Sequence, residues 1–296
     1  MPSQANTPLP DDSILQNYRI VRLLAVGGFS FVYLAHDLND APVAIKEYLP
    51  STLALRVNGE RHPQIPEDDL AAFRAGMQCF FEEAGALAHL EHPNVVRVLD
   101  FFRANDTVYL VMRYESGLSL DEHIKDRRGT PDELWVRSTF AQLLDGLREV
   151  HAHKLLHLDI KPANVYVRDD GTPVLIDFGA ARQVLSAGDM KLPLYTPGFA
   201  APEMHLAREM LGPWSDIYSV GATMYACLGA AAPQAADARV ENDLLVPASR
   251  AFAGRYEPEL LEIVDWCLNL IHVQRPQSVL ALQKALLGKK SDYRPG

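Results

Sequence analysis

The stretch His157-Leu158-Asp159-Ile160-Lys161-Pro162-Ala163-Asn164 decides the fold of this chain, together with Asp177-Phe178-Gly179, thirteen residues further on. Acidic, basic and amide side chains stand here at short intervals. Carboxylate and amide oxygens are hard ligands of the kind that Mg²⁺ prefers in proteins. We therefore expect Asn164 and Asp177 to be metal ligands, although an ordinary surface turn would also use such residues.

The other charged residues of the first stretch suit phosphoryl transfer. That reaction depends on positioning and on neutralisation of charge more than on covalent help from the protein. Asp159 is the candidate base that orients an attacking hydroxyl, and Lys161 would face the γ-phosphate of ATP. The spacing therefore predicts ATP as co-substrate and Mg2+ as cofactor.

With these motifs the chain resembles the protein kinase family, in particular the eukaryote-like Ser/Thr kinases of bacteria. Val43-Ala44-Ile45-Lys46 is similar to the family's strand whose lysine contacts the α- and β-phosphates. The resemblance implies that Glu83 pairs with Lys46, and the adjacent Glu82 remains an alternative register. It also implies that five side chains meet in one cleft: Lys46, Glu83, Asp159, Asn164 and Asp177.

The resemblance implies an α+β, bilobal, protein-kinase-like fold over residues 18–288. An N-lobe of about residues 18–115 would hold a five-stranded antiparallel sheet and the helix that the family calls αC. A C-lobe of about residues 116–288 would be mostly helical. Residues 1–17 would form a flexible N-terminal tail, and residues 289–296 a C-terminal tail. Hydrophobic alternation predicts the five strands at residues 18–24, 31–35, 43–47, 95–102 and 107–114.

Helix signals follow the same division. An acidic trio after Pro66 and apolar residues at every third or fourth position predict the helix that carries Glu83. Thr130-Pro131-Asp132-Glu133 has the pattern of a capping box with proline at the first helical position, and it predicts the next long helix. Further helices are predicted at residues 216–228, 258–270 and 278–287.

A short ribbon should follow the first motif. Residues 165–167 and 174–176 are predicted strands on either side of a turn, with Asp159 and Asp177 at opposite ends of the ribbon.

The resemblance also implies a nucleotide pocket. A phosphate-covering loop is expected at Ala25, Val26, Gly27, Gly28 and Ser30. Val32 and Ala44 would cover the adenine, and Tyr166 would lie below it. Met112 would be the gatekeeper, and the backbones of Arg113 and Glu115 would meet the adenine edge.

Three features depart from the family pattern. The glycine-rich loop has Ala25 and Ser30 where Gly-x-Gly-x-x-Gly has glycine, and we expect weaker ATP binding because a Cβ restricts the turn. Leu158 replaces the arginine that clamps a phosphorylated activation loop, so the chain is of the non-RD type and its activity should not require that phosphorylation. The long connection at residues 50–66 would brace αC, dock a regulatory partner, or be a solvated linker.

Two later motifs resemble structural parts of the family. Glu203, at the end of Thr196-Pro197-Gly198-Phe199-Ala200-Ala201-Pro202-Glu203, would pair with Arg275. Asp216 would accept hydrogen bonds from the backbone of the catalytic loop, or would be only a carboxylate near a helix N-terminus.

Composition narrows the class of protein. The 296-residue chain is 48% hydrophobic and 22% charged, as ordinary globular proteins are, and its formal net charge is −10 at pH 7. Nucleic acid rewards clustered Lys and Arg, so we expect no nucleic-acid partner. We expect no membrane insertion either, because no apolar run approaches the ~20 residues that cross a bilayer. With no signal-peptide core, the expected location is cytoplasmic.

The sequence thus predicts a Ser/Thr protein kinase that acts on proteins bearing Ser or Thr. A pseudokinase scaffold with weak or no catalysis stays open because of Ala25, Ser30, Leu158 and Tyr166. A small-molecule phosphotransferase of kinase-like fold is the other alternative. The segment from Thr196 to Glu203 resembles one that seats a peptide, and it favours a protein acceptor.

Overall fold

The structure is a computed structural model that describes residues 6–126, 131–178, 195–206 and 208–288. The chain divides into two compact units. The sheet unit contains the described residues 6–91 and 96–115. The helical unit contains the described residues 92–95, 116–178 and 195–288.

The sheet unit is built on an antiparallel sheet in the order β1-β2-β3-β4-β6-β5. The predicted five strands are present, and the sheet has one more. The extra strand, β1, belongs to the segment predicted as a flexible tail and pairs Leu15 with Tyr18 of β2. Two residues are too few for hydrophobic alternation to reveal. The strands are β1 Ile14–Leu15, β2 Tyr18–Val26, β3 Ser30–His36, β4 Pro42–Tyr48, β5 Val98–Ala104 and β6 Thr107–Arg113.

Strands β4 and β6 are neighbouring interior strands of this sheet, and both of their faces are covered. Ile45 and Val111 are direct partners on one face and have no exposed surface. On the other face lies the helix α1, Leu70–Leu87, preceded by a 3-10 turn at Glu67–Asp69. Its buried residues recur at the three- to four-residue spacing of an amphipathic helix: Phe73, Gly76, Phe80, Ala84 and Leu87.

The helical unit has a small sheet and a series of helices. Its elements are β7 Gly117–Ser119, α2 Leu120–Asp126, α3 Glu133–Ala152, β8 Val165–Arg168, β9 Pro173–Leu175, α4 Pro202–Leu206, α5 Pro213–Gly229, α6 Ala236–Glu241, α7 Ala248–Ala251, α8 Pro258–Cys267 and α9 Val279–Leu287, with 3-10 turns at Pro162–Asn164, Arg208–Met210 and His272–Gln274.

The predicted capping box before α3 lies two residues too early. Asp132 is the N-cap, and its carboxylate accepts a hydrogen bond from the Trp135 backbone N–H at 3.2 Å. Pro131 therefore precedes the helix, and Thr130 lies outside the described residues. A carboxylate satisfies the free N–H groups of a helix start as well as a hydroxyl does, so the two registers compete in the sequence.

Helices α5 and α8 pack closely. On Gly221 of α5, a Cβ would lie only 2.4 Å from the Cβ of Cys267 in α8.

Of the helices that the structure describes, none combines the length and apolar character that crossing a membrane requires.

Candidate active site

Lys46 lies in β4 beside α1, with only 5% of its surface exposed. Its Nζ is 5.5 Å from the centre of the Phe80 ring. Glu83 follows Phe80 by three positions, and such residues share a helix face. Glu82 is exposed and accepts a hydrogen bond from Gln78 Nε2 at 2.7 Å. The register of α1 therefore favours Glu83 over Glu82 as the acid on the Lys46 side.

Three residues predicted around the adenine share a sheet face with Lys46. Val32 is the direct partner of Lys46 across β3 and β4, and Ala44 is the direct partner of Met112 across β4 and β6. Direct partners, and residues two apart in one strand, point to the same face. The sheet unit therefore brings Val32, Ala44, Lys46 and Met112 together.

The predicted phosphate loop is the tip of the β2–β3 hairpin. Gly27 donates its backbone N–H to the Ser30 carbonyl at 2.8 Å. Ala25 pairs with Val32, and Ser30 with Tyr48, so both residues lie in strands. Strand backbone carries a Cβ without strain. The two non-glycine residues therefore do not distort this loop.

Arg113 and Glu115, which are predicted to meet the adenine edge, lie at the end of β6 and just beyond it. The Arg113 backbone N–H is already used, because it donates to the Arg97 carbonyl at 2.9 Å. An adenine contact from Arg113 would therefore come from its carbonyl. Glu115 is the last described residue of the sheet unit.

In the helical unit, Asp159 is the centre of a hydrogen-bonded cluster. Its carboxylate accepts from Lys161 Nζ at 2.9 and 3.2 Å and from Asn164 Nδ2 at 2.7 Å. The Thr196 hydroxyl donates to Asp159 Oδ1 at 3.3 Å and accepts from Lys161 Nζ at 2.9 Å. The sequence does not assign Thr196 to this cluster, and only its hydroxyl within the peptide-seating motif could have indicated it.

Asn164 and Asp177 meet at the open end of the β8–β9 ribbon. The Asn164 Nδ2 donates to the Asp177 carbonyl at 3.3 Å, and Ile176 N–H donates to the Asn164 carbonyl at 3.0 Å. Because Val165 pairs with Leu175, Asp159 and Asp177 lie at the same end of the ribbon, and the prediction of opposite ends was wrong. An antiparallel pair brings the start of one strand beside the end of the next.

The donor set suits a hard cation. Both Nδ2 hydrogen bonds of Asn164 to Asp159 turn its amide nitrogen toward that residue, so Oδ1 points away from it. Asp177 has φ +64, a left-handed conformation that non-glycine residues rarely adopt outside constrained sites. An amide oxygen and a carboxylate fit Mg²⁺, which takes few protein ligands and keeps several waters.

Asp216 has no exposed surface and holds the loop before Asp159. Its carboxylate accepts from the backbone N–H groups of His157 at 2.9 Å and Leu158 at 2.8 Å, and from His151 Nε2 at 2.8 Å. Burial alone would raise the pKa of Asp216, but these donors and the nearby histidines outweigh burial and hold the pKa below its ordinary value. Asp216 therefore does accept the predicted backbone hydrogen bonds.

His157 is buried as a neutral ring. Its Nε2 lies 3.1 Å from the Ile176 carbonyl, which can only accept, and its Nδ1 lies 3.3 Å from the Asp159 N–H, which can only donate. One ring nitrogen must therefore carry a proton and the other a lone pair. Burial lowers the pKa of His157 and favours the same neutral form. Its ring also contacts Phe178, with 4.3 Å between ring centres.

Tyr166 is fixed at the middle of the small sheet. Its hydroxyl donates to the Gly117 carbonyl at 2.8 Å, and its strand neighbours are Ser119 and Val174. The bulky ring is thus part of the helical unit's own packing. Gly179 of the Asp177-Phe178-Gly179 motif lies outside the described residues.

Glu203 and Arg275 form the predicted ion pair, which is buried. Arg275 NH1 and NH2 donate to the two carboxylate oxygens at 2.7 and 3.0 Å, and the Ser215 hydroxyl donates to Oε1 at 2.8 Å. Burial alone would raise the pKa of Glu203, but these bonds hold it below its ordinary value. The pair joins α4 to the loop before α9.

A profile of the protein kinase domain family matches residues 18–287. Among curated relatives, Serine/threonine-protein kinase C of Synechocystis sp. is 29% identical over 98% of this chain and 54% of its own length. Serine/threonine-protein kinase B of the same organism is 33% identical over 74% of this chain and 38% of its own length. The chain thus spans about half, or less, of the length of these relatives.

Solved structures show the same similarity to protein kinases. A structure described as the PpkA-294 apo form is 32% identical and has a TM-score of 0.86, covering 94% of this chain and 99% of its own. The Mycobacterium tuberculosis PknI kinase domain has a TM-score of 0.70 at 22% identity, covering 95% and 98%, and so it shows the fold alone. The chain therefore belongs to the protein kinase family, in the eukaryote-like type of bacteria.

Proposed function

We propose that this chain is a serine/threonine protein kinase that transfers the γ-phosphoryl group of ATP to protein hydroxyls. The observation that carries the proposal is the contact of the Thr196 hydroxyl with Asp159 and Lys161. A hydroxyl there donates to a carboxylate and accepts from an ammonium group. An attacking substrate hydroxyl needs the same carboxylate, and the transferred phosphoryl group needs the same cation.

In the proposed reaction, Asp159 orients the substrate hydroxyl and takes its proton as the oxygen attacks the γ-phosphorus. The bond between that phosphorus and the bridging oxygen of ADP breaks, and ADP leaves. Lys161 neutralises charge on the transferred group. Magnesium, held by Asn164 and Asp177, would neutralise the phosphates when bound.

The sheet unit would bind the rest of the nucleotide. Lys46 contacts the α- and β-phosphates, and Glu83 holds Lys46 in place. The loop from Ala25 to Ser30 covers the phosphates. Around the adenine, Val32 and Ala44 would lie above the ring and Tyr166 below it. Met112 would be the gatekeeper. The Arg113 carbonyl and the Glu115 backbone would contact the adenine edge.

The test compares the parent with Asp159→Asn. Each is incubated with labelled ATP, Mg²⁺ and a generic basic protein, and mass spectrometry locates the phosphate. The expected result is label on Ser or Thr, with a rate that falls by about 10²- to 10⁴-fold in the variant, as for loss of a general base. Asp170→Asn, in an exposed turn of the same ribbon, is the matched control and should retain activity.

Two outcomes would redirect the proposal. Nucleotide binding without transfer by the parent would favour the pseudokinase scaffold. Label on small molecules in an extract, and none on protein, would favour a small-molecule phosphotransferase.

We also propose that the kinase is of the non-RD type and that its activity does not require phosphorylation of the activation loop. The Leu158 side chain has no donor for a phosphate, whereas an arginine side chain in its place would offer a bidentate one. The segment from Asp177 to Glu203 has few hydroxyl residues that could be phosphorylated, namely Ser186, Tyr195 and Thr196. Of these, Ser186 lies outside the described residues. A phosphatase-treated sample should keep its transfer rate, and loss of nearly all activity would contradict the idea.

We propose the insert at residues 50–66 as the site where a regulatory partner docks. Its residues 58–62 are all exposed. Deleting only these five residues should leave basal transfer unchanged and alter its regulation, and a deletion that changes neither would contradict this proposal.

A further inference from the structure

The first part of the insert is packed and is not a solvated linker. Leu53 and Ala54 are 1% and 4% exposed, and Arg56 has no exposed surface. The Pro50 carbonyl accepts hydrogen bonds from the Leu53 and Ala54 N–H groups, both at 3.0 Å, which closes a tight turn. Residues 49–56 therefore form an ordered segment of the sheet unit.

Arg56 anchors this segment to the sheet. Its guanidinium forms a bidentate ion pair with Glu47, whose surface is also fully buried, and NH2 lies 2.8 Å from Oε2. The Tyr33 and Tyr109 hydroxyls each donate to the same carboxylate at 2.7 Å. Arg56 NH2 also donates to the Tyr33 hydroxyl at 3.0 Å. A buried pair with its donors and acceptors satisfied in this way resists displacement, since breaking it would strand a charge.

The N-terminal residues hold Arg56 from the other side. Thr7 donates its N–H and its hydroxyl to the Arg56 carbonyl at 3.1 and 2.9 Å, and Arg56 Nε donates to the Thr7 carbonyl at 2.8 Å. The Asn6 amide donates to the Ala54 carbonyl at 3.0 Å. Leu9 N–H donates to the Tyr33 hydroxyl at 3.1 Å. The turn at 50–54 is thus fixed at both of its ends, by β4 and by Arg56.

The fixed turn reaches the predicted phosphate loop. Leu49 N–H donates to the Phe29 carbonyl at 2.9 Å, and Ser51 N–H donates to the Gly28 carbonyl at 2.9 Å. The Ser51 hydroxyl donates to the same Gly28 carbonyl at 3.2 Å. Two donors on one residue therefore hold the tip of the loop from outside the β2–β3 hairpin.

We propose that Ser51 is a positioning residue for ATP, which fixes the glycine-rich loop through the Gly28 carbonyl and is itself held by the buried Arg56–Glu47 pair. This inference rests on the proposed kinase function. A loop that covers phosphates loses conformational entropy when the nucleotide binds, and this loss weakens binding. A loop that is already held in place loses less entropy and therefore binds the nucleotide more tightly. The anchor thereby favours binding of the nucleotide by this loop.

The test measures ATP dependence in the full chain. Ser51→Ala removes the hydroxyl bond, and Ser51→Pro removes both bonds because proline has no N–H. One intramolecular hydrogen bond changes an equilibrium by roughly two- to tenfold. We expect KM for ATP to rise about twofold in Ser51→Ala and about tenfold in Ser51→Pro, with kcat changed by less than about twofold. Ser51→Thr keeps both donors and should restore the parent KM.

Thr52→Ala is the matched control, because Thr52 is exposed in the same turn. It should keep the parent KM. Amide hydrogen exchange without nucleotide adds a readout that does not depend on catalysis, and residues 27–30 should exchange faster in both Ser51→Ala and Ser51→Pro.

The outcomes separate the two proposals. A parent that neither binds ATP nor transfers phosphate would overturn the kinase function itself. An active parent whose Ser51→Pro variant keeps KM and loop exchange within about twofold of the parent would overturn the positioning role alone. A fall in kcat at constant KM would do the same, because it would place the effect in the chemical step.

Discussion

Leu158 donates its backbone N–H to Oδ1 of Asp216 at 2.8 Å, although the two residues are 58 positions apart. Leu158 has φ +61, in the left-handed region that a leucine rarely adopts. Such a conformation persists only where the surrounding structure enforces it. The Asp216 carboxylate supplies that constraint immediately before Asp159.

Asp216→Asn should therefore lower both stability and turnover. An asparagine amide nitrogen in place of one carboxylate oxygen would face an N–H donor of His157 or Leu158 and leave it without an acceptor. We expect a loss of about 1–3 kcal/mol in the free energy of unfolding, and a fall in kcat that exceeds the change in KM for ATP. Urea unfolding and steady-state kinetics measure the two effects. Unchanged stability would contradict this account of the loop.

Stability should also fall as pH drops below neutrality, in part through His157. Its pKa in the folded chain is below the ordinary value of 6.5 because the ring is buried. Below pH 6.5 the unfolded chain therefore binds a proton that the folded chain does not, and unfolding becomes easier. This residue alone should therefore lower the free energy of unfolding progressively as the pH falls through 6.5.

The pH effect is measured by urea unfolding at several pH values. His157→Gln should be less stable at pH 7 but should show a shallower pH dependence than the parent. An equal slope in the two proteins would assign the effect to other groups, such as His92, whose pKa burial also lowers.

Breaking the Glu203–Arg275 pair should be costly. Arg275→Met leaves the Glu203 carboxylate buried without its cation, and we expect a loss of about 3–5 kcal/mol in the free energy of unfolding. The double variant Glu203→Leu/Arg275→Met should lose less than the sum of the two single variants, because no charge remains stranded. Additive losses would show that the two side chains act independently.

Tyr48→Phe should raise the stability of the chain. The Tyr48 ring packs between Phe73 and Phe80, with ring centres 5.2 and 5.8 Å away. Its hydroxyl is buried and has no hydrogen-bond partner among the described residues. Removing an unsatisfied polar group should raise the free energy of unfolding by about 1 kcal/mol.

Tyr33→Phe is the matched control for that change. The Tyr33 hydroxyl donates to Glu47 and accepts from Leu9 and Arg56, so its loss should destabilise the chain by about 1–3 kcal/mol. If both variants shifted the thermal midpoint equally, the hydrogen bonds would not be the cause.

Much of the fold and of the candidate site follows from local sequence. The strands and α1 follow because apolar residues recur at the period of their elements. Asp159, Lys161 and Asn164 lie within six residues of one another, so a motif captures them as a group. The structure places these three in one hydrogen-bonded cluster, and their catalytic roles stay predictions.

The sequence could not indicate features that depend on distant partners. Glu47 and Arg56 are charged residues around a proline-rich connection, and such residues are usually solvated. Their burial depends on the hydroxyls of Tyr33 and Tyr109, which no local pattern links to them. The N-cap of α3 was missed for the opposite reason, because Thr130 and Asp132, two residues apart, both suit an N-cap.

The Tyr33 hydroxyl uses its one proton and both lone pairs, so this hydroxyl has no spare bonding site. Positions 7, 33, 47, 56 and 109 should therefore be inherited or lost as a set among related chains. A chimera that exchanges strands β3, β4 and β6 with a relative would have to carry the N-terminal residues along with them.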